Sequence, residues 1–157
     1  MPTVVIRTLD HRVPAVAEAI LEVQLSAYVL EARLIGATRF PPLERIVIDI
    51  LHSNEVFVGA EVDGELAGVL SHEAGPEAGC RDITSLAVAP RWHRSGIATK
   101  LLAEVLGESA ERVIEVSTAT ANAPALGLYA RFGFVEESRC VKGPEPVEIV
   151  HLRLVRE

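Results

Sequence analysis

The sequence predicts an α/β fold: one mixed β-sheet, antiparallel in its first half, with helices on both faces. Three observations predict it. Apolar residues recur with a period of two in some segments and of three to four in others, and the two kinds interleave along the chain. Asp63-Gly64 joins two β-rich runs and supplies the positive φ values of a tight hairpin turn. The second half contains two strand-helix-strand passages, each expected to give parallel neighbours through a right-handed crossover. The reading comes to about seven strands and about four helices.

Thr3 to Thr8 alternates apolar and polar residues as a first strand. Val13, Val16, Ile20, Val23 and Ala27 fall on one helical face, with Pro14 tolerated in the first turn. Ile35-Gly36 and Pro41-Pro42 interrupt the pattern, and Leu43, Ile46, Val47 and Ile50 resume it as a second helix. Glu55 to Val62 and Glu65 to His72 form the hairpin, and Gly75 to Gly79 is a loop. Asp82 to Ala89 is a buried strand that Pro90 ends, and Ile97, Leu101, Leu102, Val105 and Leu106 stripe the next helix. Arg112 to Thr118 is a strand, and Ala125, Leu128, Tyr129 and Phe132 mark a helix that stops at Gly133. Phe134 to Val141 and Val147 to Leu154 are the last strands, separated by the turn-forming Gly143-Pro144.

With 157 residues, 49% hydrophobic and 24% charged, the chain is expected to be one globular domain. No apolar run approaches the roughly 18 to 20 residues of a membrane span, and Met1 to Asp10 lacks the pattern of a signal peptide. Two cysteines, Cys80 and Cys140, make no disulfide framework, and neither they nor His11, His52 and His151 show metal-ligand spacing, so no metal is expected. No spacing suggests a Cys-His pair, and both thiols read as inert and reduced in a cytoplasmic protein. The net charge of −7 argues against nucleic acid. An acidic field suits a cationic small molecule or basic peptide, or serves solubility alone. The sequence does not choose between monomer and homodimer.

Chemistry concentrates after the buried strand. Arg91, His93 and Arg94 lie in a short loop, and Gly96 stands where a helix begins. A helix N-terminus leaves backbone N–H groups unpaired and carries partial positive charge, and a glycine there admits a ligand to the backbone. Such a turn can cradle phosphate; it can also be a plain strand-to-helix turn. Neither a P-loop nor a dinucleotide fingerprint is present.

These residues resemble the GNAT superfamily of acyl-CoA-dependent N-acyltransferases. The family's Gln/Arg-x-x-Gly-x-Gly/Ala motif matches His93-Arg94-Ser95-Gly96-Ile97-Ala98, behind Leu86-Ala87-Val88-x-Pro90. Its second mark, Asn-x-x-Ala-x-x-Leu-Tyr-x-x-x-Gly-Phe, is present as Asn122, Ala125, Leu128, Tyr129, Gly133 and Phe134. His93 departs from the usual Gln or Arg. The resemblance implies acetyl-CoA as co-substrate, with its pantetheine arm in a gap between two splayed strands. Leu86, Ala87 and Val88 would line that gap, and His93, largely through its backbone N–H, with Arg94, Ser95, Gly96, Ile97, Ala98 and Thr99 would hold the pyrophosphate. Asn122 belongs to the same cofactor site. Val88 N–H would polarise the thioester carbonyl, and Tyr129 would donate a proton or hydrogen bond to the departing thiolate.

The acceptor must arrive as a neutral amine, and Asp82 matches the base position of the histone-acetylating branch. Glu115, Glu73 and His72 are alternatives near the expected cleft, and Asp82 could equally face solvent. Tyr28 and Glu31 are candidates for the acceptor side, Glu31 as partner of an ammonium group. The expected activity is N-acetylation of a primary amine by direct attack. An acyl-CoA-binding sensor without efficient transfer is the other reading.

Overall fold

A computed structural model describes residues 3–143, 145 and 147–157. Met1, Pro2 and the Pro144 of the expected Gly143-Pro144 turn lie outside the described residues. The elements are β1 (Val4–Thr8), α1 (Pro14–Ile35), α2 (Val47–Leu51), β2 (Val56–Val62), β3 (Glu65–Ala74) and β4 (Cys80–Val88), then α3 (Ile97–Glu108), β5 (Val113–Ala119), α4 (Ala123–Arg131), β6 (Val135–Lys142) and β7 (Val147–Val155). They form a seven-stranded mixed sheet in the order β1-β2-β3-β4-β5-β7-β6.

Two expectations are corrected. The predicted second helix divides into a single 3-10 turn over Pro41–Glu44 and the short α2. Arg45 and Ile46 between them are extended, and the Asp49 carboxylate accepts the Ile46 N–H at 2.9 Å, starting a new helix there. Only one of the two strand-helix-strand passages yields parallel neighbours. β4 and β5 are parallel, but β7 enters between β5 and β6 and runs antiparallel to both. Burial explains the exchange: β7 brings Val150 and Leu152 into the core, whereas β6 is exposed along nearly its whole length and suits the sheet edge.

Each sheet face has its own core. Leu9, Ala17, Ile20, Val23, Ile50, Phe57, Val69 and Ala87 join α1 and α2 to one face. Ile97, Leu101, Leu102, Val105, Leu128, Tyr129 and Phe134 join α3 and α4 to the other. Gly68 sets the approach of α3, because a Cβ there would stand 2.7 Å from Ile97 Cγ2. The missing side chain lets the head of α3 settle against the sheet beside the end of β4, since Gly68 is the cross-strand partner of Val88.

Candidate active site at a fork between parallel strands

β4 and β5 pair from Cys80↔Val113 to Ile83↔Val116 and then part. Beyond that point β4 stays with β3 as far as Val88↔Gly68, and β5 stays with β7 as far as Ala119↔Ile149. The register of β3 and β4 shifts between Ser71 and His72, leaving Thr84 as an extra residue on β4. A bulge bends its strand and raises its twist, which turns β4 away from β5 just where the pairing stops.

The strand alternation then fixes which backbone groups meet the fork. Ala89 N–H donates to Ala67 O at 2.8 Å, so Ala89 and Ala87 face β3, while Leu86 and Val88 face the side that β5 has left. The Val88 carbonyl is not free there: His93 Nε2 lies 2.9 Å from it. The His93 N–H is engaged as well, donating to Pro90 O at 3.1 Å within the turn over Pro90–Trp92. The expected backbone contact from His93 to pyrophosphate would compete with that turn bond, and the His93 side chain is turned onto Val88.

Gly96 is the N-cap of α3 at φ 82°, with no side-chain cap and no acidic residue in the first turn. The first helical bond runs from Lys100 N–H to Gly96 O, at 3.0 Å, so the N–H groups of Ile97, Ala98 and Thr99 precede the ladder. Nothing lies within 4 Å of where a Gly96 Cβ would be. An uncapped, open helix head of this kind fits a pyrophosphate. Arg94 stands beside it at φ 61°, exposed, and Ser95 Oγ donates to Trp92 O. Arg91, by contrast, forks onto both oxygens of Glu65, at 3.0 and 3.1 Å, and lies over the Trp92 ring, so its charge points to the hairpin. Ile97 is buried, so only its backbone is available to a ligand.

On the α1 side, Tyr28 is buried, with its ring edge-on to Phe40 at 6.1 Å between centroids. Glu31 is the neighbour of Asn122, whose Nδ2 donates to Glu31 Oε1 at 3.5 Å while its Oδ1 caps α4 by accepting Ala125 N–H at 3.3 Å. Burial raises the Glu31 carboxyl above the usual carboxylate range, and the Asn122 hydrogen bond offsets part of that rise. Tyr129 is buried edge-on against Phe134, with ring centroids 5.5 Å apart. Burial, then the Glu31 carboxylate, push its phenol well above the ordinary value of 10.0. The structure thus brings Glu31 to Asn122, 91 residues away in the sequence, and into the electrostatic neighbourhood of Tyr129.

A cleft of about 530 Å³ opens below the fork, lined by Asp82, Thr84, Glu115, Ser117, Glu137 and His151 among others. Asp82 and Glu115 face each other across β4 and β5 and lie with Cys80 inside a 4.8 Å cluster. Burial and the two carboxylates push the Cys80 thiol up to about 11, so it stays protonated. Glu73 and His72 do not line this cleft. His72 Nδ1 lies 3.2 Å from Arg81 Nη1, and burial followed by the Arg81 charge lowers its pKa.

Sequence reasoning missed two groups. One is a polar chain beside the bulge: Gln24 Nε2 donates to Ser85 Oγ at 3.3 Å, Ser85 meets Ser71, and Thr84 bonds both Ser71 and Glu55, itself paired with Arg45 at 3.1 Å. Ser71 and Ser85 inside apolar runs were the available signal. The other corrects the expectation of no Cys-His pair: Cys140 Sγ is 3.3 Å from His151 Nε2.

Comparison with known proteins identifies the architecture. The family model of the Acetyltransferase (GNAT) family matches residues 19–134. UPF0157 protein YqkA of Bacillus subtilis (strain 168) is 39% identical over 142 residues, which are 89% of this chain and 40% of that relative. The chain therefore spans under half the length of that relative. A GNAT-family protein from Desulfovibrio desulfuricans is 26% identical, with TM-score 0.75 and 98% and 99% of the two chains covered. The yncA protein of Salmonella typhimurium, solved with its cofactor acetyl-CoA, shares the fold at TM-score 0.76 and 17% identity, covering 99% and 95%.

Proposed function

Because the chain belongs to the GNAT acetyltransferase family, we propose that it is an acetyl-CoA-dependent N-acetyltransferase acting on a primary amine of a small molecule or peptide. The observation that carries this reading is the fork: β4 ends beside the uncapped head of α3, with the backbone of Leu86 and Val88 turned to the side that β5 has left. A pantetheine arm entering as an extra strand would pair with those groups, and the N–H groups of Ile97, Ala98 and Thr99, with Arg94, would take the pyrophosphate. Acetyl-CoA binding would then carry a cost at His93, whose ring must leave the Val88 carbonyl.

In this mechanism the amine attacks the thioester carbonyl directly in a ternary complex. An amine with pKa near 10.4 is only about 0.1% neutral at pH 7.4, so a base or water relay shortens the wait for the reactive form. Asp82, at the cleft wall, would accept that proton, and Glu31 would hold the ammonium form beside Asn122. Val88 N–H would bind the developing oxyanion. Tyr129 would stabilise the departing thiolate as a hydrogen-bond donor. Full proton transfer from it would run uphill, because its phenol is raised while a thiol titrates near 8.5.

His93 in place of the family's usual Gln or Arg leaves room for the second reading, a CoA-binding sensor that transfers poorly. Measuring thiol release from acetyl-CoA over a panel of small amines, polyamines and lysine peptides tests both. Turnover on any amine supports the enzyme. Tight CoA binding with no turnover across the panel supports the sensor, and no CoA binding rejects both.

A further inference from the structure

Beyond that reading, and without resting on it, we propose that Cys140, His151 and Ser117 form a nucleophilic thiol site that accepts an acyl group from a thioester. The three residues come from three adjacent strands, β6, β7 and β5. Ser117 and His151 are direct cross-strand partners, and Cys140 is the diagonal neighbour of His151, opposite Ile149. His151 Nδ1 is 2.6 Å from Ser117 Oγ, and its Nε2 is 3.3 Å from Cys140 Sγ. In the tautomer with its proton on Nδ1, the ring donates to Ser117 and leaves Nε2 to receive the thiol proton. This is the order of a catalytic relay: nucleophile, base, and a third group that orients the base.

The surroundings suit the chemistry. Ser117 and His151 line the open cleft, and Cys140 is partly exposed on the edge strand. Glu115, Glu137 and Asp82 line the same cleft, and Arg153, two residues from His151, lies within 3.8 Å of Glu115 and 3.3 Å of Glu137. Cys80, the other thiol, has the opposite setting, buried and flanked by carboxylates.

The step balances without an added co-reactant. His151 Nε2 takes the Cys140 proton, and the sulfur forms a bond to the thioester carbonyl carbon. The bond from that carbon to the donor sulfur breaks, and the departing thiolate recovers the proton from His151. One thioester replaces another.

The test treats the folded chain with S-acetyl-N-acetylcysteamine, a thioester that needs no nucleotide cradle, and locates acetyl groups by peptide mass spectrometry. Failure of the CoA-binding reading therefore leaves this result intact. A free thiol is only a few per cent thiolate near neutrality, so base assistance should make Cys140 about tenfold faster than N-acetylcysteine at the same pH. Cys80 should remain unmodified. His151→Gln should bring Cys140 back to the reference rate, and Ser117→Ala, a milder change, should slow it several-fold by freeing the ring. Acetylation no faster than the reference thiol in the native chain overturns the proposal. So does an unchanged rate in folded His151→Gln or, should that variant not fold, in Ser117→Ala.

Discussion

His93 turns its ring back onto the carbonyl of Val88, 2.9 Å away, at the one strand end from which β5 has withdrawn. A backbone acceptor exposed by the fork thus receives a donor from the same chain. A pantetheine amide that pairs with Val88 O must displace this ring. His93→Ala should then act in opposite directions on two measurements. The free protein should lose about 1 kcal/mol of stability, the usual net value of one hydrogen bond, and CoA should bind about fivefold tighter. Calorimetry and thermal melting read both. Weaker CoA binding in the variant would mean that His93 contacts the ligand itself.

Gly96 combines a left-handed backbone with open space around its missing side chain. Gly96→Ala meets no neighbour, so its cost should be the left-handed strain of about 1 to 2 kcal/mol and nothing more. Gly96→Asp tolerates the backbone better but places a carboxylate at the uncapped helix head. CoA affinity should fall by more than tenfold in the Asp variant and should weaken with ionic strength in the wild type. Unchanged calorimetric affinity of folded Gly96→Asp would remove α3 from the cofactor site.

Tyr129→Phe keeps the ring on Phe134 and deletes only the hydroxyl. A hydrogen bond made to the thiolate in the transition state should cost about 10²-fold or more in turnover when lost, roughly 2.7 kcal/mol of barrier. CoA affinity should hold. A variant of full turnover, altered only in its melting temperature, would make Tyr129 a core aromatic and nothing else.

Glu31 carries a linked pH prediction. Burial raises its folded pKa above the ordinary 4.5, so the stability it contributes is complete below that value and is lost as pH rises through the raised one. Glu31→Gln should therefore melt higher than wild type near neutral pH, and the difference should vanish on acidification. If Glu31 holds the acceptor, the same variant should raise KM for a cationic amine more than it lowers kcat. Equal melting curves at both pH extremes would deny the buried carboxylate its cost.

The acceptor proton is tested by the rate at subsaturating amine, which should climb with pH as the neutral amine fraction grows. Asp82→Asn should lower the rate most well below the amine pKa, and so steepen that rise, if Asp82 receives the proton. A rate independent of pH in the wild type would place deprotonation outside the barrier.

By itself the sequence determined the elements, because each is written locally. The period of Val13 to Ala27 makes a helix, Asp63-Gly64 makes a hairpin, and Gly96 ahead of an apolar stripe makes a helix head. The family motifs are equally local, two short segments readable without any partner. Only the tertiary structure decided where those pieces meet. The insertion of β7 between β5 and β6 depends on which strand buries more apolar surface, a comparison across the whole sheet. The meeting of Glu31 with Asn122 and Tyr129 depends on how α1 crosses that sheet. The Cys140–His151–Ser117 contact needs a register that includes the shift between Glu136 and Ser138, and one residue of slip would put every side chain of the strand on the other face. Chain-local physics specifies conformations, while the site arises from long-range register and packing, which no short window of sequence contains.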